Sequence, residues 1–414
     1  MKHVVVIGGG AAGFFAAINC AEKNPDYTVT ILEKSSSVLN KVKISGGGRC
    51  NVTHACFDAR ELVKFYPRGE KQLLGPFTRF NPSNTIDWFK KRGVEIKREA
   101  DNRMFPTTDS SQTIIDCFLN EAKRLGVKIR MQCGVDKMQS IDGKWQINTS
   151  SNETINADAI IITTGSNHTV WKMLEELGHK IIAPVPSLFT FNIKDERIIG
   201  LEGLSMPQAF VQVLNSKPKT QSNPGPLLIT HWGMSGPAIL RLSAWGARAL
   251  AEVNHKFEIE VNWVNKDLNE VKEALKQFKQ NNPKKGVVTT PLFNIPKRLW
   301  ERITNYELQI TNEQQKAKPV NSSSNFADLS NSQIDSIAKQ LTASRYPVNG
   351  KSTYKDEFVT SGGVDLSEVD FRTMQSKKVS NLYFAGEVLD VDAITGGFNF
   401  QAAWTTAYIA SQTI

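Results

Sequence analysis

The first residues whose types and spacing imply chemistry are Gly8, Gly10 and Gly13, in the order GxGxxG, with Ala11 and Ala12 between the last two. Glycines so placed permit a tight turn, close approach of backbone to a pyrophosphate, and close packing of a helix on a strand. Glu33 lies 20 positions beyond Gly13, where a carboxylate accepts hydrogen bonds from ribose hydroxyls, and Lys34 beside it favours a ribose without a 2′-phosphate. That pattern implies FAD or NAD and does not separate them. A second glycine cluster runs from Lys41 to Ser45, Gly46, Gly47, Gly48, Arg49, Cys50 and Asn51. Its exposed amides and polar side chains suit an anion or the polar edge of a ring, the alternative being a plain flexible turn. A third group, Gly386, Glu387, Asp390, Asp392, Gly396, Gly397, Phe398 and Asn399, stands near the C-terminus. A helix starting there would turn free N–H groups and its positive dipole end towards a ligand carbonyl. Reduced flavin carries negative charge around N1 and the C2 oxygen, so this third group favours FAD over NAD.

These residues need elements to hold them. Val4 to Ile7 is a β-branched run expected as a buried strand, Phe14 to Glu22 a helix, and Tyr27 to Leu32 a second strand that delivers Glu33. Asn381 to Ala385 predicts a strand and Gln401 to Ala410 a helix. Between them, Gln112 to Leu125 predicts an amphipathic helix, Val127 to Met131 a strand, and Ala159 to Thr164 a buried strand closed by the Thr164-Gly165 turn. From about Pro186, alternating runs at Phe189 to Ile193, Ala209 to Val213, Leu227 to Thr230 and Phe257 to Val261 predict a small β-barrel or sheet. Helices are expected at Lys266 to Gln280, Ile295 to Tyr306 and Ser332 to Leu341, with an exposed polar loop at 217–226 and a solvated linker at 321–331.

The residues quoted so far carry a resemblance to the BaiN-like flavoprotein family, whose members include proteins described as aminoacetone oxidases and a bile-acid-dehydroxylation reductase. Further blocks are Thr230-His231 with Ser235-Gly236-Pro237-Ala238, and Thr360 to Val364. The resemblance implies an α/β fold with a discontinuous, glutathione-reductase-like Rossmann FAD domain at 1–186 and 357–414. It also implies an inserted β-barrel-like domain at 187–264 and 342–356, acting as a substrate lid, and a helical subdomain at 265–341. By the same resemblance Val135 contacts adenine through its backbone, and Thr164 and Gly165 lie near the cofactor. The family shares a cofactor rather than one substrate.

His231 is the candidate catalytic group, since an imidazole can deprotonate a substrate ammonium near neutral pH; the alternative is a structural histidine. Cys50 stands in the second glycine cluster, where a packed neutral thiol is expected rather than a reactive one. His54 and His168 sit by predicted cofactor loops without metal-ligand spacing, and no metal is assigned. No second GxGxxG follows a strand and no CxxC is present, which argues against a separate pyridine-nucleotide domain and a disulfide reductase, and leaves NAD(P)H open as a transient electron donor.

The 414 residues, 40 % hydrophobic and 22 % charged, suit a multidomain globular chain with no apolar run long enough to span a bilayer. Five cysteines, an odd number, argue against a disulfide framework. Gly8 to Gly10 interrupt the apolar N-terminal stretch, so it is read as retained and the protein as cytoplasmic. Net charge is +9, but basic residues are interspersed with acidic ones and the clearest cluster, Pro283-Lys284-Lys285, is short. A small-molecule substrate is therefore expected and a nucleic-acid partner is not. The leading reading is an FAD-dependent oxidoreductase exchanging hydride with a small amine such as aminoacetone. The alternatives are an NAD(P)H-dependent reductase of an unsaturated organic substrate and a tRNA-associated flavoprotein.

Overall fold

The computed structural model describes residues 2–214, 224–315, 324–352 and 359–414, without the side chains of 308–315. Most of the polar loop at 217–226, the start of the linker at 321–331 and the end of the return segment 342–356 lie outside the described residues. The chain forms two compact units, Met1–Ser187 with Tyr354–Ile414, and Leu188–Thr353.

The first unit is built on a seven-stranded sheet. Its parallel strands run in the order Lys128–Arg130, β2 (Thr28–Leu32), β1 (His3–Ile7), Ala159–Ile162 and Leu382–Phe384. Short antiparallel strands, Gln375–Ser376 and Val369–Asp370, extend the far edge. The chain passes from β1 to β2 on one side, while the strand on the other side of β1 comes from residue 159 onward. That reversal next to β1 opens a crevice at the carboxyl ends of the strands, where doubly wound sheets take their ligands. Val4, Val5, Val6 and Ile160 to Ile162 are wholly buried, as central parallel strands require.

The helix α1 (Ala11–Lys23) is buried from Ala12 to Ala21, and the helix Phe398–Thr413 is buried over most of its circumference. Both are buried nearly all round, as helices enclosed rather than resting on a surface, although the second buries Gln401, Thr405, Thr406 and Ser411 among its apolar residues. Phe15 packs on Trp88 and Trp404, whose ring centroids lie 4.6 and 5.2 Å away. The buried Asn19 is satisfied by Trp88, whose Nε1 donates to its Oδ1 at 3.0 Å.

The second unit contains a seven-stranded antiparallel sheet in the order Ser344–Asn349, Lys256–Asn262, Ser205–Val213, Gly225–Thr230, Gly233–Ser235, Thr190–Asn192 and Lys351–Ser352. The barrel expected from strand spacing is corrected here: among the described residues the sheet stays open, because its two outer strands each pair on one side only. Helices cover it instead. Leu242, Val271, Leu275, Leu299, Trp300 and Leu341, from four helices, share one apolar core with Phe191, Val211 and Ile259 of the sheet. A two-residue turn, His231-Trp232, joins the strands Gly225–Thr230 and Gly233–Ser235, with Thr230 paired to Gly233.

Candidate cofactor and active site

The first glycine turn is crowded on one side and open on the other. A Cβ added at Gly8, where φ is +110°, would lie 2.7 Å from the carbonyl oxygen of Thr163, and one at Gly13 would lie 1.9 Å from that of Gly8. Thr163 Oγ1 sits 2.9 Å from the carbonyl oxygens of both Ile7 and Gly8, sharing its hydroxyl between them. At Gly10, by contrast, an added Cβ would meet nothing within 4 Å. Gly10 also begins α1 without any side-chain cap and without an acidic residue in the first turn. Helices starting at Ser111, His168, Leu268 and Asn331 are instead closed by Ser110, Asn167, Asp267 and Ser330. The first-turn N–H groups of α1, beside Ala11 and Ala12, are thus left for an anion.

Around this turn the structure gathers several of the expected residues. Glu33 accepts hydrogen bonds from the Gly9 N–H at 2.7 Å and the Ser35 N–H at 2.8 Å. The Cys133 N–H donates to the Glu33 carbonyl at 2.8 Å, and Gly134 lies against Lys34, which brings Val135 to the same end of the crevice. Thr164 adjoins Gly8, and its buried Oγ1 has no partner. Gly165 lies beside Glu387, which accepts from Lys41 Nζ at 2.7 Å and from the Thr360 N–H at 3.0 Å. Gly386 faces the methyl of Ala12, so that any side chain there would collide with α1.

The other end is organised by the helix Phe398–Thr413. Its N-terminal residue Gly397 adopts φ +91°, has no side-chain cap, and would place a Cβ 2.5 Å from the Thr53 carbonyl oxygen. Asn51 reaches the same spot with a buried Oδ1 that has no partner. Around them stands a scaffold that sequence reasoning missed. Trp404 Nε1 donates to the Val52 carbonyl at 2.9 Å, Thr53 Oγ1 to Gln401 at 2.6 Å, and Tyr66 OH to the Phe398 carbonyl at 2.6 Å. The Phe398 ring stacks with His54 and with Phe65, each at 4.4 Å, and His54 Nδ1 lies 3.0 Å from the Gly396 carbonyl. Asn399 holds Ala393 through both its N–H, at 2.9 Å, and its carbonyl, at 3.1 Å. Arg68 grips the fully buried Asp392 with two nitrogens, and Ser187 Oγ donates to the same carboxylate. Asp390 is buried beside it in the chain.

The second glycine cluster folds differently from a free loop. Residues from Asn40 begin a short helix that breaks at Ser45, and Gly46, Gly47 and Gly48 all have positive φ. Arg49 turns to Glu99 at 2.6 Å and stacks 4.0 Å over Phe105, while Ser45 Oγ donates to the Val42 carbonyl. Burial pushes the Cys50 thiol up to about 12, so it is neutral at physiological pH. His231 lies in the second unit, exposed at its hairpin tip. Of the tryptophans, Trp404 is core, whereas Trp232 and Trp245 are about half exposed. Among the described residues no His/Cys/Asp/Glu group could hold a metal, and no helix is long and apolar enough to cross a membrane.

Uncapped helix N-termini at Gly10 and Gly397, open space at Gly10 and unpartnered Thr164 Oγ1 and Asn51 Oδ1 fit a dinucleotide. Residues 2–413 match the family model described as "HI0933-like protein Rossmann domain". The chain belongs to this family. It is a BaiN-like flavoprotein that binds FAD, and an oxidoreductase. A relative from Haemophilus influenzae, "Ribosomal RNA dihydrouridine synthase", is 27 % identical over 428 residues, covering 99 % of this chain and 98 % of its own. One of the same name from Escherichia coli is 27 % identical over 425 residues, covering 99 % and 96 %. A "3-dehydro-bile acid delta(4,6)-reductase" from Clostridium scindens is 25 % identical, covering 100 % and 98 %. The 3-ketosteroid delta1-dehydrogenase of Sterolibacterium denitrificans shares the fold, with a TM-score of 0.50 at 9 % identity over 100 % of this chain and 99 % of that one.

Proposed function

We propose that this protein reduces a uridine base in RNA to dihydrouridine, adding a hydride and a proton across the C5=C6 bond. The observation that carries the reading is where the positive charge lies. Residues 188–353 hold 21 Lys and Arg against 14 Asp and Glu, while the other 248 residues hold 29 against 27. Counted over the whole sequence the basic residues look diluted; counted by segment, seven of the nine excess charges belong to residues 188–353, four of them at Lys217, Lys219, Lys316 and Lys318 outside the described residues, a bias in the sequence that suits a polyanionic substrate. The relatives support the same reading, since two that match over almost their whole length are named for dihydrouridine formation in ribosomal RNA. The bile-acid relative is likewise named a reductase. This favours the reductive alternative over aminoacetone oxidation.

FAD, when bound, supplies the hydride, and NAD(P)H is the external reductant of this reading. The chain's own residues do the rest. The α1 amides beside Gly10 hold the pyrophosphate, and Glu33 with the Val135 segment holds the adenosine end. Asn51 and the amides following Gly397 hold the ring's polar edge, where the positive end of the helix dipole favours negative charge.

The test is to incubate the FAD-loaded protein and NADPH with ribosomal RNA lacking dihydrouridine, then digest the RNA and weigh the fragments. A uridine-containing fragment gaining one H2 is expected. No gain with any rRNA or tRNA, together with bleaching of the protein by small amines, overturns the reading in favour of an amine oxidase.

A further inference from the structure

One edge of the second unit combines an exposed ring, two arginines and a concavity. The hairpin tip carries Trp232, 54 % exposed, and the Trp232 carbonyl accepts from the Ile193 N–H at 2.9 Å. The strand leading to that tip is bound to the loop beside it, for the Gly203 N–H donates to the Ile229 carbonyl and the Ile229 N–H to the Leu204 carbonyl, both at 2.9 Å. The same loop carries Ile199, 54 % exposed, and is clamped from behind by the helix Lys297–Gln315. Arg298 Nη2 donates to the Gly200 carbonyl, and Arg302 Nη1 to the Glu196 carbonyl at 2.8 Å. Gly200, Leu201, Arg298, Glu301, Arg302 and Asn305 line a concavity of ≈ 250 Å³.

The two acids beside the arginines each have a partner. Glu301 is paired with Lys297 at 3.7 Å. Glu202 is engaged by the Gly200 N–H at 3.1 Å, and its carboxyl is held below the usual value first by the backbone N–H groups of Glu202 and Gly200. The strand that ends at the hairpin tip is thus hydrogen-bonded to the same loop that Arg298 and Arg302 hold. Each guanidinium has five N–H donors, so a single carbonyl contact leaves others for a phosphate.

We infer that this edge is the RNA-docking surface of the protein, a nucleotide base stacking on Trp232 while flanking phosphates enter the Arg298–Arg302 concavity. The inference rests on the reading of RNA as substrate and deepens it by naming where RNA is held. An exposed indole and two arginines tied to one loop suit single-stranded nucleic acid, because every base offers a π-face and every linkage a phosphate. A small ester or enone would need neither. The uridine to be reduced must be unstacked from its neighbours, and a platform on which a neighbouring base stacks offsets part of that cost.

The experiment measures binding of a fluorescein-labelled, uridine-containing oligoribonucleotide to the FAD-loaded protein by anisotropy, over a range of salt. Trp232→Ala is expected to weaken binding about 10-fold, the range of one lost stacking contact, and Trp232→Phe to restore most of it. Arg298→Gln with Arg302→Gln is expected to make the slope of log affinity against log salt shallower by about 1.4, or roughly 0.7 per phosphate released. Flavin content and Tm of each variant serve as the check on folding. A control pair in the first unit, Lys144→Gln with Arg372→Gln, removes two exposed charges whose side chains are 74 % and 89 % accessible. If the control pair weakens binding as much as the arginine pair, or if the Trp232 variants bind as the wild type does, this surface is refuted while the RNA reading stands. If the wild-type protein binds and modifies no RNA, the RNA reading itself falls.

Discussion

The substitution Gly10→Ala separates the fold from the cofactor. Gly10 has φ −90° and ψ −166°, an extended conformation open to alanine, and the added methyl would meet no protein atom within 4 Å. Alanine there restricts the unfolded chain, so the flavin-free protein should be unchanged or about 0.4–1 kcal/mol more stable. The methyl would instead occupy the space that a pyrophosphate needs to approach the N-terminus of α1. Forcing one methyl into a filled contact costs about 1–3 kcal/mol, which corresponds to roughly 5- to 150-fold weaker FAD binding. The assay is a pair of measurements on deflavinated protein, a denaturant titration without FAD and a calorimetric titration with it. Wild-type FAD affinity in Gly10→Ala would refute the placement of the pyrophosphate. A destabilised flavin-free protein would show that Gly10 serves the fold.

Gly13→Ala should behave in the opposite way, because its methyl would fall 1.9 Å from the Gly8 carbonyl oxygen and separate α1 from β1; low expression or loss of the cooperative unfolding transition is the expected outcome. Asp392→Asn breaks the buried ion pair with Arg68, whose side chain is 11 % exposed, and should cost about 3–5 kcal/mol by chemical denaturation. Asp365 has its carboxyl lowered to about 2, first by Lys180 and then by the N–H and hydroxyl of Ser367. A depressed folded value means stability that is present above the ordinary value of 3.8 and is lost as pH falls from about 4 to 2. Asp365→Asn should therefore lower stability at pH 7 by about 1 kcal/mol and flatten the acid limb of a stability-versus-pH curve in that window.

What was legible in the sequence was local. Gly8 to Gly13 lie between a β-branched run and an apolar helix, and Glu33 follows a second strand, so neighbours in sequence declare the turn, the strands and the cofactor end together. The helix that begins at Asn40 was hidden, because it is short and ends in three glycines that by themselves suggest only a loop. The scaffold at the ring end was hidden for a different reason. Tyr66 meets Phe398 across 332 positions and Arg68 meets Asp392 across 324, and neither tyrosine nor arginine carries any local sign of a partner so far away. Strand alternation in residues 187–264 signalled a sheet but not its closure, which depends on whether the outer strands meet. Charge was harder to read: interspersed Lys and Glu conceal an excess that appears only when residues 188–353 are counted by themselves.

The measurement that bears most directly on the central claim is the anaerobic reoxidation of NADPH-reduced protein on mixing with uridine-containing RNA, followed by absorbance and by mass analysis of the RNA. The prediction is recovery of the oxidised flavin spectrum with one dihydrouridine formed per flavin. A spectrum that stays bleached with RNA but recovers with air or with a small unsaturated ketone would contradict it.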